Sequence, residues 1–421
     1  MSSLAPAAAA LPGQPPSVAL RHPLKLQYFR NLWMGSTISL LGDQFYLVAL
    51  PWLVLQLSGS SLALGTVLMV AAIPRAMLML VGGAVTDRIS ARGVLLATAS
   101  IRALLLAIVA SLIGLHQIQL WHLYLLTFAF GVADAFSFPA GSALLPTLLQ
   151  PQQLPAANSF MQSSNLLTQM LGPAPAGLVI RRWGIAPSLF LDALSFLAAI
   201  AALVRIPAAP KVPATAVTGI PRPSMWHSIA EGFRYVRKDG PLLSLLMVSA
   251  VVNICVAGPV AIGLASVAKF KFGSAAAFGT FLSCFSGGTL AGLLLGGLLK
   301  KPRRRGLQFI LMSGFAGAEL IGIGLVMKFA VIATLLALMG LAVGFVNVQF
   351  TSWMQTRVSR ELLGRVMSVL MFAAVGLIPV SYAISGFVAR WSLTALFVGA
   401  GALLVGASTV ALGGKAARET D

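Results

Sequence analysis

Read for the spacing of apolar and polar positions, the chain alternates long oily runs with short polar breaks. A helix needs about 20 apolar residues to cross a bilayer. Twelve runs meet that rule, at about 31–56, 62–85, 93–115, 119–146, 156–180, 185–206, 241–268, 275–299, 306–328, 330–353, 364–388 and 391–413. The pattern predicts an all-α membrane protein with twelve transmembrane helices. The longest break, 207–240, divides the spans six and six. It begins as a flexible Pro/Ala-rich linker and continues as SMWHSIAEGFRYVRKDG. There Trp226, Ile229, Phe233 and Val236 share one helical face, with Arg234, Arg237 and Lys238 opposite. This predicts an amphipathic helix on the inner leaflet. The expected organisation is a disordered cytoplasmic tail (1–27), a six-helix bundle (28–206), the linker (207–240), a second six-helix bundle (241–413) and a short cytoplasmic tail (414–421).

Composition agrees with a membrane interior. Of 421 residues, 58% are hydrophobic and 9% charged, against about 25% charged in soluble domains. Mean hydropathy is +0.91. Charge is lopsided, with 29 Lys and Arg against 10 Asp and Glu, a net of +19. Nucleic-acid binding would use such a surplus, but the bases cluster in the gaps between spans, as positive-inside loops do. With both termini inside, 21 of the 29 bases fall in cytoplasmic segments and six in outer loops. Arg75 and Arg102 lie within spans. The expected setting is a bacterial inner membrane, crossed many times, with both termini cytoplasmic. Cys255 and Cys284 sit inside apolar runs and form no CxxC. The four histidines show no metal spacing, and no phosphate loop is present, which argues against an ATPase carried on the chain. No cofactor, metal or covalent chemistry is expected. The expected partners are protons, lipids and a small-molecule substrate, with a monomer as working unit.

The halves repeat. GGAVTDRISARG, from Gly82, is echoed by GGLLKKPRRRG, from Gly296, 214 residues later. GVADAF, from Gly131, is echoed by GFVNVQF, from Gly344, 213 residues later. Such a register implies two bundles related by an axis along the membrane normal.

With these residues in view, the chain resembles the major facilitator superfamily over nearly its whole length. That family's loop after the second span reads G-x-x-x-D-[RK]-x-G-[RK]-[RK], and Gly83, Asp87, Arg88 and Arg92 match it. Ser90 and Ala91 depart from it, and the C-half copy has Lys300 in place of the acid. The fifth span is similar to the antiporter motif G-P-x-x-G, with Gly172, Pro173 and Gly177 and one extra residue before the last glycine. ADAFSFPAGSALLP, AANS and ELLGRVMS resemble the macrolide and siderophore exporters. An arginine common in the fourth span of drug antiporters is absent; Thr127 and Phe130 precede Gly131 instead. The resemblance implies two pseudo-symmetric bundles and transport by alternating access. It implies proton-coupled export of amphipathic molecules, with import or lipid flipping on the same fold as alternatives. A non-transporting scaffold or sensor is the alternative from another class.

The resemblance also gives Asp87 a role, as a latch on the amides of another helix N-terminus, where the dipole favours an anion. Arg88 and Arg92 would support the latch and hold anionic headgroups. Inside the bilayer, Asp43, Arg75, Arg102 and Asp134 fall near one depth by helical rise. Two acids and two bases at one level predict a charge cluster in the N half. It serves either as a structural lock or as the proton-coupling site, with Asp43 the first candidate and Asp134 the second. Asp192 and Glu319 also sit inside spans, on helices that the resemblance makes peripheral supports; each makes a structural hydrogen bond or serves function. Pro173 and Pro175 should kink the fifth span. Gly288, Gly292 and Gly296 should let the eighth approach a neighbour closely. Phe138, Met161, Met170, Asn347 and Trp353 are candidates for the cavity wall.

Overall fold

The computed structural model describes residues 22–88, 90–207, 233–235, 237, 239–298, 305–358, 366 and 375–413. They are helical, with no strand among them. The N half comprises α1 (Gln27–Ser58), α2 (Ser61–Arg88), α3 (Ala91–Gly114), α4 (Leu120–Leu148), α5 (Leu154–Leu171), α6 (Pro173–Trp183) and α7 (Ile185–Val204). The C half comprises α8 (Gly240–Gly258), a π turn at Pro259–Gly263, α9 (Leu264–Phe270), α10 (Ala275–Leu298), α11 (Arg305–Val326), α12 (Phe329–Arg357), α13 (Ile378–Trp391) and α14 (Leu393–Gly413). Ten of the described helical segments are long and apolar enough to cross a membrane. The fifth predicted span is divided between α5 and α6 at Gly172–Pro173, where the prolines were expected to disturb it. The eleventh predicted span and the amphipathic part of the linker lie largely outside the described residues.

Helix neighbours come in matched pairs, as a duplicated bundle requires. In the N half α1 and α3 both pack on α7, and in the C half α8 and α11 both pack on α14. The tightest pair in each half is also equivalent, α2 with α4 and α10 with α12. Glycine explains that tightness. A Cβ on Gly131 of α4 would run into the Ala71 carbonyl of α2. Its repeat mate, Gly344 of α12, stands in the same relation to the Thr289 carbonyl of α10. Gly288 and Gly292 meet the Ala337 and Leu341 carbonyls from the other side. In lipid, where apolar burial drives little association, this close backbone approach is a main source of helix cohesion.

The π turn has a local cause. Ser381 of α13 inserts its hydroxyl into the α8 ladder, donating to the Ile254 carbonyl (2.6 Å) and accepting from the Gly258 amide (2.8 Å). A side chain lodged in the ladder, followed by Pro259 with no N–H, widens the next turn.

The halves meet along two seams, α2 with α13 and α5–α6 with α10. The end carrying residues 22, 207 and 239 is called the linker end, and the opposite end distal. Contacts between halves gather toward the distal end. Ser61 and Ser266 share a buried 2.8 Å hydrogen bond. A Cβ on Gly65 would lie 2.8 Å from the Gly386 Cα, and Lys269 sits 4.5 Å above the Trp52 ring. The Ala174 amide donates to Ser283 across the second seam (3.1 Å), beside the α5–α6 break. Toward the linker end α10 stays on α12, where Gln349 donates to the Gly296 carbonyl (3.1 Å), while Leu294 is 60% and Leu298 78% exposed on its other face. Among the described residues, the contacts between the halves that can be named lie toward the distal end.

Two arginines secure helix ends beside the linker. Arg92 donates to the last carbonyls of α7, Leu203 (2.9 Å) and Val204 (3.1 Å), groups that a helix C-terminus leaves unpaired. Arg357 donates to both carboxylate oxygens of Asp239 (2.9 and 3.2 Å), while Asp239 caps α8 through the Leu242 amide. Its hydrogen bond to Asp239 holds the Arg357 guanidinium above its ordinary value.

Candidate functional site

A cavity of about 700 Å³ lies inside the N half, walled by α1, α3, α4, α5 and α7. It runs from mid-membrane depth toward the linker end, where the lining residues Leu32, Leu145 and Leu203 are buried in an apolar cluster with Phe29 and Ile206. Four of the five wall helices contribute hydroxyl or amide side chains: Ser36 and Ser39 (α1), Thr98 (α3), Ser137 and Ser142 (α4), and Asn158, Gln162 and Asn165 (α5). Phe138, Met161 and Phe196 supply apolar faces. Arg102 is its deepest residue on α3, about 16 Å along the helix from Ala91.

The acids lie just beyond that wall. On α1 the lining ends at Leu40 and Asp43 follows one turn deeper. On α4 it begins at Ser137, one turn from Asp134, and on α7 at Phe196, one turn from Asp192. Three helices thus each place a carboxyl at the floor. Arg102 joins two of them: its Nη2 pairs directly with Asp134, and its Nη1 lies 3.9 Å from Asp43 Oδ1. The guanidinium is buried between the rings of Phe130 (5.3 Å) and Phe196 (5.5 Å). Phe130 in turn stacks on Tyr46 at 4.5 Å. Aromatic faces compensate a desolvated cation, which favours the otherwise costly burial of Arg102. Its Nε has no hydrogen-bond partner among the described residues.

Of the four residues expected in the cluster, the structure brings Asp43, Arg102 and Asp134 together and leaves Arg75 out. Arg75 is exposed on α2, in electrostatic reach of Tyr382 on α13, and forms no ion pair with a described residue. The reason is azimuth. Helical rise gives depth, but α2 turns this face toward the other half. Asp192 is the residue missed. It is 0% exposed and lies in electrostatic reach of Asp43 and Arg102. Glu319, on α11, is also buried, and neither of its oxygens has a hydrogen-bond partner among the described residues.

The other candidates separate by position. Phe138 and Met161 line the cavity. Met170 instead meets the α10 backbone at the seam, its Cγ 3.4 Å from where a Cβ on Gly287 would stand. Asn347 is exposed on α12. Trp353 is corrected as a wall residue: it is 3% exposed, packed with Phe309 and Phe350 beneath Arg357. Gly172 makes room for Gln44 of α1. The Pro173 carbonyl lies against Gly279, and a Cβ on Gly177 would stand 2.6 Å from the Ala275 carbonyl. The backbone at Gly83, Asp87 and Arg88 is helical, but their side chains lie outside the described set. Arg92 is engaged on the last carbonyls of α7, as described.

Matched bundles, two glycine-lined seams and a cavity within the membrane define a major facilitator transporter. Comparison with known proteins narrows this: the chain matches over residues 19–418, and so belongs to, the transmembrane secretion effector family of that class. It is similar to macrolide efflux protein A of Streptococcus pyogenes, 24% identical over 348 residues, covering 82% of this chain and 84% of that one. It is also similar to multidrug efflux pump Tap of Mycolicibacterium fortuitum, 26% identical over 377 residues, with 87% and 89% covered. Among solved structures, the nucleoside transporter NupG superposes with a TM-score of 0.70 at 13% identity, covering 92% of this chain and 98% of that one. A bacterial homologue of the iron transporter ferroportin, in an inward-facing state, superposes at 0.69 and 17% identity, covering 92% and 98%. At these identities the superpositions speak to fold alone.

Proposed function

We propose that the protein is a secondary active transporter that exports amphipathic organic molecules in exchange for protons, by alternating access. The observation that carries this reading is the N-half cavity with three acids and one arginine at its floor. If all three carboxyls were ionised, Arg102 would offset one and leave two negative charges in a low-dielectric interior. An unpaired buried charge costs several kcal/mol, and bound protons relieve it. A substrate entering the cavity changes the desolvation of the same floor, so proton and substrate compete, which is the basis of exchange. The polar side chains of the wall suit hydroxyl and amide groups, while Phe138, Met161 and Phe196 suit apolar ones. The relatives' names, macrolide efflux and multidrug efflux, agree with that amphipathic class.

The excess of basic residues at the linker end sets the orientation in this reading, with both termini cytoplasmic in a bacterial inner membrane. The linker end of the cavity then faces the cytoplasm, where an exporter loads. Cells carrying the gene should accumulate less of a macrolide or fluorescent dye, and a protonophore should abolish the difference. In vesicles, pH-gradient-driven uptake should be lost in Asp43→Asn. Uptake equal to wild type in that variant removes Asp43 from the role.

A further inference from the structure

We propose that Asp192 is a second proton-holding carboxyl, buried behind Asp43, which passes its proton to Asp43 and so to the cavity. The inference rests on the proton-coupled reading above and locates a step within it. Asp192 is fully buried and its Oδ2 has no hydrogen-bond partner among the described residues. The hydroxyl that hydrogen-bonds to it, Ser195 Oγ, lies closer to the Asp192 main-chain carbonyl (2.7 Å) than to Oδ1 (3.2 Å). A single O–H cannot serve both fully. An ionised carboxylate has about four lone-pair sites to satisfy, and this one meets half a donor.

The surroundings make the same point. Gly42 of α1 stands where any Cβ would meet Ser195 Oγ and Asp192 Oδ1, so the carboxyl is pressed against the α1 backbone one residue from Asp43. The titratable groups facing it are Asp43 and Tyr46 from α1 and Arg102 from α3. On α6, which also packs on α7, Arg181 and Arg182 are exposed at the distal end. Arg102 is already shared by Asp43 and Asp134. Among the described residues no cation remains for Asp192, and a proton is what neutralises it. In the transfer, the O–H bond on Asp192 breaks and one forms on an ionised Asp43 oxygen. The negative charge then passes from beside Arg102 to α7, so the step runs forward only when something else engages Arg102 and leaves the Asp43 carboxylate without its cation. That condition couples proton movement to cavity occupancy.

The test uses the purified full-length chain in liposomes. Infrared spectroscopy at neutral pH should show a buried carboxylic C=O band that Asp192→Asn removes. Ser195→Ala keeps the carboxyl and deletes the hydroxyl that touches it, so the same band should move to higher frequency. That arm stands even if the asparagine variant fails to fold. In transport, Asp192→Asn should lose pH-gradient-driven uptake at least 10-fold while keeping substrate-for-substrate exchange within about 2-fold. No band attributable to Asp192, or gradient-driven uptake unchanged in Asp192→Asn, overturns the proposal. Should wild type show no gradient-driven transport of any substrate, the coupling reading fails, and the infrared bands still decide whether Asp192 holds a proton.

Discussion

The two halves share one packing scheme and differ in chemistry. Gly131 and Gly344 occupy equivalent positions, 213 residues apart, and each lets its helix approach a neighbour's carbonyl. Three residues further along each helix stand Asp134, paired with Arg102, and Asn347, exposed. The N half holds three interior acids and a buried arginine. The C half holds Glu319, and no arginine lies within its described spans. The repeat thus keeps the glycines on which the fold depends in both halves, and the described acid–arginine cluster stands in one of them. A difference between identical scaffolds assigns function more sharply than either half does alone.

That contrast can be broken at its strongest point first. Arg102→Leu leaves Asp43 and Asp134, each about one-third exposed, without their cation, and an uncompensated, partly buried charge costs about 1–3 kcal/mol. The variant should melt below wild type and carry no substrate; a near-normal melt with normal uptake would mean that the cluster matters to neither. Gly131→Val and Gly344→Val come next. Each forces a branched side chain onto a carbonyl, at a cost of about 3 kcal/mol, and equal loss of monodisperse protein on purification is expected. Strongly unequal losses would show that the halves do not share their packing. The linker-end arginines are weaker. Arg92→Ala and Arg357→Ala should each lower stability by about 1 kcal/mol or less, the scale of a helix-end contact, measured by thermal melting. Because Arg357 is held above its ordinary value, its contribution is present below the unfolded arginine value and lost only as pH rises through the higher folded one. Melting between about pH 6 and 10 should therefore not register it. Smallest of all is Asn347→Asp. At mid-membrane depth a new carboxyl avoids charge by holding a proton, and with no arginine beside it among the described residues the proton-to-substrate ratio measured in vesicles should stay as in wild type.

Much of the fold was legible because lipid imposes a simple length rule on apolar runs. The divided fifth span was legible too, since Pro173 and Pro175 cannot continue a helix ladder. The π turn was not, because its cause is Ser381, more than 120 residues from the helix it disturbs. The candidate site was half legible. Helical rise placed Asp43, Arg75, Arg102 and Asp134 at one depth, but depth says nothing about the direction in which a helix turns a residue. So Arg75 was grouped with a cluster that it faces away from, and Asp192 was assigned to a supporting helix. The one available signal for Asp192 was its flanking by Ser188 and Ser195 in an otherwise oily run. That stripe of buried polar groups faces α1 rather than lipid. Trp353 illustrates the converse: aromatic character suited a cavity wall equally well, and burial under Arg357 decided against it.

The Lys269–Trp52 contact gives the protein an optical reporter of its own. The ammonium comes from one half and the indole from the other, 4.5 Å apart at the distal end. Any rearrangement that parts the halves there must lift the charge off the ring and alter the emission of Trp52. With the six other tryptophans replaced, a single native fluorophore would follow the opening of that end in real time, without a dye or a label attached to the chain.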